Sequence, residues 1–259
     1  MPEIAEVEIV RRGLEPLCGQ KIERIQAQPR LGIYEHKERL RGQSVETVQR
    51  RGKLLGLELK NGEFITIHLR MTGHLSLSAE PSARAQIDFD QDVLTFTDSR
   101  GFGTVDVAAA DEFATKLGPD LFDDDIRAVA ADAKTSKSRR ATKAVLLDQT
   151  AVAGIGNYLA DESLWRQKIH PQTPWNQLSV KQRLDVLQAA RDIALKALAA
   201  GGVSIRDYKA VDGSSGTMQN QLLCYGQSGL PCARCQTILL KTKVAGRGTT
   251  FCPSCQWNF

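Results

Sequence analysis

Four cysteines near the C-terminus constrain this chain more than any other feature. Cys232-x2-Cys235, sixteen residues, then Cys252-x2-Cys255 is the spacing at which two short turns offer four thiolates to one zinc ion. A tetrahedral site of four cysteines leaves no open position, so a single structural Zn2+ is expected. The turns would sit at the base of a β-hairpin that carries Lys241, Lys243 and Arg247 around Gly246 and Gly248. A basic tip stiffened by metal is suited to probing phosphates. Cys18 and Cys224 stand apart, and the whole pattern fits a metal site in a reducing compartment better than a disulfide framework.

Charge is unevenly placed. Residues 1–125 hold 16 Lys/Arg and 22 Asp/Glu, a net of −6, whereas residues 126–259 hold 18 and 8, a net of +10. The asymmetry suggests that the second half grips a polyanion, although a basic domain without that role has the same arithmetic. No apolar run approaches the roughly 20 residues of a membrane span, and the acidic, amphipathic N-terminus does not read as a signal-peptide h-region. A soluble, cytoplasmic protein of more than one domain is expected.

Residues 44–110 read as strands. Leu55, Leu57 and Leu59 alternate with polar or small residues, Asn61-Gly62 offers a two-residue turn, and Ile65, Ile67 and Leu69 resume the period of two. Ile87–Phe89 and Val93–Thr97 flank a second turn at Asp90-Gln91-Asp92. A sandwich-like sheet domain capped by the first helix would bury those faces. Three patches lie at strand ends: Arg50-Arg51-Gly52-Lys53, His68-Leu69-Arg70-Met71-Thr72-Gly73, and Asp98-Ser99-Arg100-Gly101-Phe102-Gly103. Each has a plain structural reading as a charge run, a core methionine or an aromatic under a loop. Together, Met, Arg and Phe at loop tips are also what a protein needs to wedge into a base stack.

Gly118-Pro119 and the acidic Asp123-Asp124-Asp125 mark a boundary, and residues 130–138 read as a flexible joint. Helices follow: one through Ala144–Leu147, a break at Gly154-Ile155-Gly156-Asn157, another through Tyr158–Trp165, and a long amphipathic helix over Ser179–Ala200 stopped by Gly201-Gly202. Glycines before a helix N-terminus allow close approach to a phosphate, and the neighbouring basic stretch 137–143 adds Lys143. A plain helix hairpin is the alternative.

At the other end stands Met1-Pro2-Glu3. Ile4, Val7, Val10, Leu14 and Leu17 repeat at helical spacing, with Pro2 in the first turn and Gly19 as a stop. Once Met1 is removed, Pro2 presents a secondary amine able to condense with a carbonyl carbon. The positive end of the helix disfavours its protonated form, and Glu3 lies beside it as an acid or base.

In this order, and over essentially the whole chain, these pieces resemble the bacterial formamidopyrimidine-DNA glycosylases and their endonuclease VIII relatives. The resemblance rests on Pro2-Glu3 with Glu6-Val7-Glu8, on the three strand-end patches, on Leu146-Leu147-Asp148-Gln149 with Gly154–Asn157, and on the four-Cys finger with Arg247 five residues before Cys252. It implies an α+β fold: an N-terminal two-sheet β-sandwich capped by helices over 1–125, a helix-two-turn-helix DNA-binding domain over 126–222, and a C-terminal zinc finger over 223–259. The implied function is a bifunctional glycosylase and AP lyase that excises oxidised purines, such as 8-oxoguanine and formamidopyrimidines, from double-stranded DNA. Its catalytic residues would be Pro2, Glu3, Lys53 and Arg247. DNA contacts would come from His68, Met71, Arg100, Phe102, Lys143 and Asn157, and Cys232, Cys235, Cys252 and Cys255 would hold the zinc. Met71, Arg100 and Phe102 match the residues that fill the space of an everted nucleotide. The resemblance further implies a monomer, cytoplasmic and associated with the bacterial nucleoid through DNA.

The segment Gly201–Tyr208 with Asp212-Gly213 resembles a purine-recognition loop, which favours the formamidopyrimidine type over the endonuclease VIII type. Departures bear on lesion range: Ile4-Ala5 replaces Leu-Pro, Gly101 replaces a second Arg, Gln86 replaces a His, and Ser214-Ser215 stands where Lys-Pro is common. Tyr158-Leu159 after Asn157 follows the endonuclease VIII pattern. An oxidised-pyrimidine or abasic-site specialist, and a noncatalytic lesion-binding protein on the same scaffold, remain the alternatives.

Overall fold

Alternation at period two becomes two antiparallel sheets of four strands in the computed structural model, which describes residues 1–205 and 208–256, the side chains of 133 and 134 excepted. The chain divides into two compact units, Met1–Thr115 with Ala197–Gln219, and Lys116–Lys196 with Asn220–Phe259.

In the first unit, α1 (Ile4–Gly13) precedes β1 (Ile22–Ala27), the short α2 (Lys37–Leu40), β2 (Val45–Arg51), β3 (Leu54–Leu59), β4 (Glu63–His68), β5 (Gly73–Ser76), β6 (Ala85–Phe89), β7 (Val93–Asp98) and β8 (Thr104–Ala109). One sheet runs β1-β6-β7-β5 and the other β2-β3-β4-β8. Their inward residues, among them Ile22, Leu57, Ile65, Ile87, Phe96 and Val105, form one buried core with Val7 and Val10 of α1 and with Leu14 just beyond it. Each such apolar side chain contributes roughly 1.5–3 kcal/mol relative to exposure. The hairpin turn forms around Asn61-Gly62 but is three residues long rather than two: Glu58 pairs with Phe64, which leaves Lys60-Asn61-Gly62 as the loop, and Gly62 at φ +82° takes its left-handed position. Arg50-Arg51 closes β2, and Gly52-Lys53 is itself a two-residue turn, since Arg51 pairs with Leu54. Gly52 has φ +56°, a conformation that favours glycine.

The first helix is shorter than its periodicity implies. It ends at Gly13, and a 3-10 turn over Glu15–Leu17 carries the pattern on, because Pro16 has no N–H to continue the helical ladder. Pro2 lies before the N-cap, which is Glu3. Glu8 ties α1 to the end of β2: its carboxylate accepts from Arg11, Arg12 and Arg50. Burial alone would raise that carboxyl, but the three guanidiniums outweigh it and hold it low.

The second unit contains α3 (Ile126–Ala131), α4 (Ala133–Ser136), α5 (Thr142–Leu146), α6 (Asn157–Arg166), most of α7 (Val180–Ala199), and the hairpin β9 (Leu240–Val244) with β10 (Arg247–Phe251). Residues 130–138, read from sequence as a flexible joint, instead lie largely in α3 and α4. Alanines favour helix, and Asp125 caps α3 by accepting from the Arg127 N–H at 2.9 Å. Ser179 and Gln182 form a reciprocal capping box at the start of α7. The structural division also departs from the sequence boundaries, because residues 197–219 cluster with the sandwich and the hairpin clusters with the helices.

Candidate active site and nucleic-acid interface

In the first unit, Met1 is exposed whereas Pro2 and Glu3 are buried. The N-terminal turn is held by Glu6, a residue absent from the sequence-derived site. Its Oε2 accepts from the Glu3 N–H at 2.8 Å and its Oε1 from the Val203 N–H at 3.0 Å. One carboxylate, 1% exposed, therefore joins the turn bearing Pro2 to the segment after α7. Gly202 permits the approach: it has φ +93°, and a Cβ there would lie 2.7 Å from Tyr208 Cε1 and 3.1 Å from Glu6 Cγ. Glutamates at positions 3 and 6 have capping-box spacing, the one sequence signal for this role. Within the segment after α7 that resembles a purine-recognition loop, Arg206 and Asp207 lie outside the described residues. Lys209, Val211 and Ser214 line a cavity of about 670 Å³ together with Gly13, His74 and Ser76.

Lys53 is buried in its turn. His68, at the end of β4, accepts the Arg70 N–H at Nδ1 over 3.1 Å. Burial, then the charges of Arg70 and Lys53, lower its pKa to about 4, so its imidazole is neutral at physiological pH. Beyond β4 the chain turns sharply, with Arg70 at φ +54°. Gly73 donates to Leu69 O at 2.9 Å, and a Cβ at Gly73 would fall 2.4 Å from that oxygen.

The three residues matched to wedges come together at the tips of two loops. Arg100 Nη1 lies 3.2 Å from Met71 Sδ, and its guanidinium carbon sits 5.1 Å from the Phe102 ring centroid. Met71 is 37% exposed and Phe102 56%. Apolar and aromatic side chains left this open, stacked on one cation, form a surface suited to insertion between bases.

In the second unit, Gln149 shapes the glycine loop by accepting the Gly154 N–H at 3.0 Å and donating to Ile155 O at 2.9 Å. Gly156 is the N-cap of α6. Asn157 Nδ2 donates to Gly248 O at 3.0 Å, which sets Asn157 beside the finger hairpin and near exposed Arg247 at its tip. Ala245 and Gly246 turn the hairpin at φ +49° and +75°, as a tight primed turn requires.

Lys143 does not lie at a surface. Its side chain is 0% exposed, and Nζ bonds Asp161 Oδ1 at 2.6 Å, Thr249 Oγ1 at 2.8 Å and Gly248 O at 3.1 Å. A DNA contact from this ammonium would strand Asp161 in the core, so the expectation of direct contact is corrected: the lysine braces the hairpin from within. Asp161 also accepts the Thr250 N–H at 3.1 Å. Burial pushes its carboxyl up to about 6, even with the lysine adjacent. Neither the lysine's burial nor its partner is legible from a basic stretch.

The four finger cysteines converge as their spacing requires, with all Sγ atoms within 4.8 Å of one another. Pairs at 3.3 and 3.5 Å are close to the sulfur–sulfur distance of about 3.8 Å around a tetrahedral zinc. Four soft thiolates with no open position fit one structural zinc. The Trp165 indole N–H points at Cys232 Sγ over 3.4 Å, and Arg234 stacks 4.0 Å above that ring. Glu162, on the same helix, accepts the backbone N–H groups of Leu223, Cys224 and Tyr225. Helix α6 thus carries two further anchors of the finger, Trp165 and Glu162.

Comparison with known proteins agrees along the whole chain. Residues 1–105 match the model of the formamidopyrimidine-DNA glycosylase N-terminal domain, residues 117–209 that of the formamidopyrimidine-DNA glycosylase H2TH domain, and residues 229–256 that of a zinc finger found in FPG and IleRS. A formamidopyrimidine-DNA glycosylase of Lactococcus lactis subsp. cremoris is 41% identical over 99% of both chains. A crystal structure of a Lactococcus lactis FPG mutant with a Fapy-dG containing DNA aligns at TM-score 0.88 and 38% identity, covering 99% of this chain and 100% of that one. A complex of the Lactococcus lactis enzyme with an abasic site containing DNA aligns at 0.87 and 38%, with the same coverage. The chain belongs to the formamidopyrimidine-DNA glycosylase family.

Proposed function

We propose that the protein is a DNA glycosylase of base excision repair that removes oxidised purines from duplex DNA and then cleaves the strand as an AP lyase. The observation that carries this reading is the exposed cluster of Met71, Arg100 and Phe102, which suits a protein that everts one nucleotide and fills the gap. Arg100, with its planar donor fork, would face the orphaned partner base.

Once Met1 is removed, the Pro2 nitrogen attacks C1′ of the everted nucleotide and the damaged base departs with a proton. Glu3 shuttles protons at the ring oxygen as the sugar opens, leaving an iminium between Pro2 and C1′. The iminium withdraws electrons and acidifies C2′. Loss of a C2′ proton expels the 3′ phosphate by β-elimination, and δ-elimination then expels the 5′ phosphate. Water hydrolyses the iminium and regenerates the amine. Lys53 and Arg247 grip the flanking phosphates and protonate the leaving groups, while Asn157 and neutral His68 supply further hydrogen bonds. Zinc keeps the hairpin that carries Arg247 folded and takes no part in the chemistry. The protein would act as a monomer on DNA in the bacterial cytoplasm.

Borohydride trapping tests the reading. Met-processed protein mixed with an 8-oxoguanine:cytosine duplex is expected to give a covalent adduct that is lost in Pro2→Gly and kept in Cys18→Ser. No adduct with any lesion, an abasic site included, would refute the enzymatic reading. Adduct only with thymine glycol or abasic DNA would reassign the substrate.

A further inference from the structure

The two wedge loops share one buried carboxylate. Asp98 closes β7, and its side chain is 0% exposed. Oδ1 accepts from the Thr72 hydroxyl in the loop that carries Met71, and from the Arg100 N–H at 3.2 Å in the loop that carries Arg100 and Phe102. Oδ2 accepts the Gly103 N–H at 2.6 Å and faces Arg84 Nη1 at 3.4 Å. The Arg100 N–H is also 3.3 Å from Thr72 Oγ1, so the links form a closed ring across both loops. Arg84 in turn donates to Gln28 Oε1 at 3.0 Å, which anchors the ring to the chain after β1. Burial would raise the Asp98 carboxyl, but its donors outweigh burial and keep it ionised.

We propose that Asp98 is a positioning residue that locks the Met71 loop and the Arg100–Phe102 loop into a single wedge before DNA is bound. The inference rests on the glycosylase reading above and deepens it. Two independent loops would each have to be ordered as they enter the base stack, at an entropic cost for every residue immobilised. Charge-assisted hydrogen bonds in a buried site meet that cost in advance. The chemistry of Asp98→Asn is unambiguous here. Three of the four partners are N–H donors, and an amide presents one acceptor and one donor. Whichever way the amide turns, a backbone N–H of Arg100 or Gly103 faces another N–H, and one loop is released. Thr72→Val cuts only the cross-loop link and leaves the Arg100 loop its own two anchors.

The test compares two duplexes under single-turnover conditions, one with 8-oxoguanine paired to cytosine and one with a pre-formed abasic site, each with 2-aminopurine beside the lesion. Asp98→Asn is expected to slow excision of the paired lesion roughly ten- to a hundredfold and to delay the 2-aminopurine rise in parallel. Cleavage at the abasic site should stay within about threefold of wild type, because no base remains there to unpair or unstack. Thr72→Val should show the same pattern to a smaller extent, and it decides the matter if Asp98→Asn does not fold by circular dichroism. Equal losses on both duplexes, or none on either, would overturn the clamp. Wild-type protein inert on both would instead refute the glycosylase reading, an outcome distinct from the other two.

Discussion

His68 shows how a single side chain acquires a property that its identity does not convey. The imidazole is held neutral by burial and by the nearby Arg70 and Lys53 charges, with its pKa down at about 4. Between that value and the ordinary 6.5, the unfolded chain binds the proton and the folded one does not. Stability from this residue is therefore lost as pH falls through that window and regained as it rises. NMR titration of the free protein should place the His68 midpoint near 4, and a midpoint at or above 6 would contradict the burial described here. Gly202 is a second residue-scale case. An alanine there would occupy φ +93° and press its Cβ on Tyr208 and Glu6. Gly202→Ala is expected to cost about 1–3 kcal/mol of stability in urea and to weaken the Glu6–Val203 link behind Pro2.

Among the elements, α6 and the finger hairpin are coupled through buried charge. Lys143 and Asp161 form a fully buried pair that also hydrogen-bonds Gly248, Thr249 and Thr250. Removing one partner strands a charge, so Asp161→Ala should cost roughly 3–5 kcal/mol, whereas Lys143→Met with Asp161→Leu should cost far less. Equal losses in denaturant melts would show that the charges themselves are not what the pair contributes. The zinc has its own test. Metal analysis should find about one zinc per chain, and Cys252→Ser should release it together with DNA binding, since the thiolates, β10 and Arg247 form one folded piece. Metal-free wild-type protein that retained the hairpin would contradict a structural zinc.

At the scale of the whole molecule, salt dependence separates surface contacts from internal braces. The net charge of +10 over residues 126–259 predicts DNA binding that weakens steeply with salt. Arg247→Ala should lower the slope of log K against log salt by about one. Lys143→Met should lower stability and leave that slope unchanged, because its ammonium already faces Asp161 in the interior. A changed slope in Lys143→Met would restore the lysine to the DNA surface. The two lysine and arginine predictions are distinguishable only because a binding slope and a melting midpoint report different quantities.

Local spacing encodes a definite share of this fold. The cysteine pairs, the Asn61-Gly62 turn, the period-two leucines and isoleucines, and the stop at Gly201-Gly202 depend on neighbours a few residues away. All lie in the structure as read except the turn, which takes in Lys60 as a third residue. That Met71, Arg100 and Phe102 lie outside the core was also legible, since they stand at strand ends where few core positions are available. Charge and partnership over long separations emerge only once the chain is folded. Lys143 and Arg247 are both cations near glycines in a basic half, yet one is buried against Asp161 and the other lies at an exposed tip. Glu6 and Asp98 read as ordinary acids, and become anchors only when the fold brings Val203 to one and Thr72 to the other. Burial and pairing are sums over contacts from the whole chain, so no window of sequence contains them.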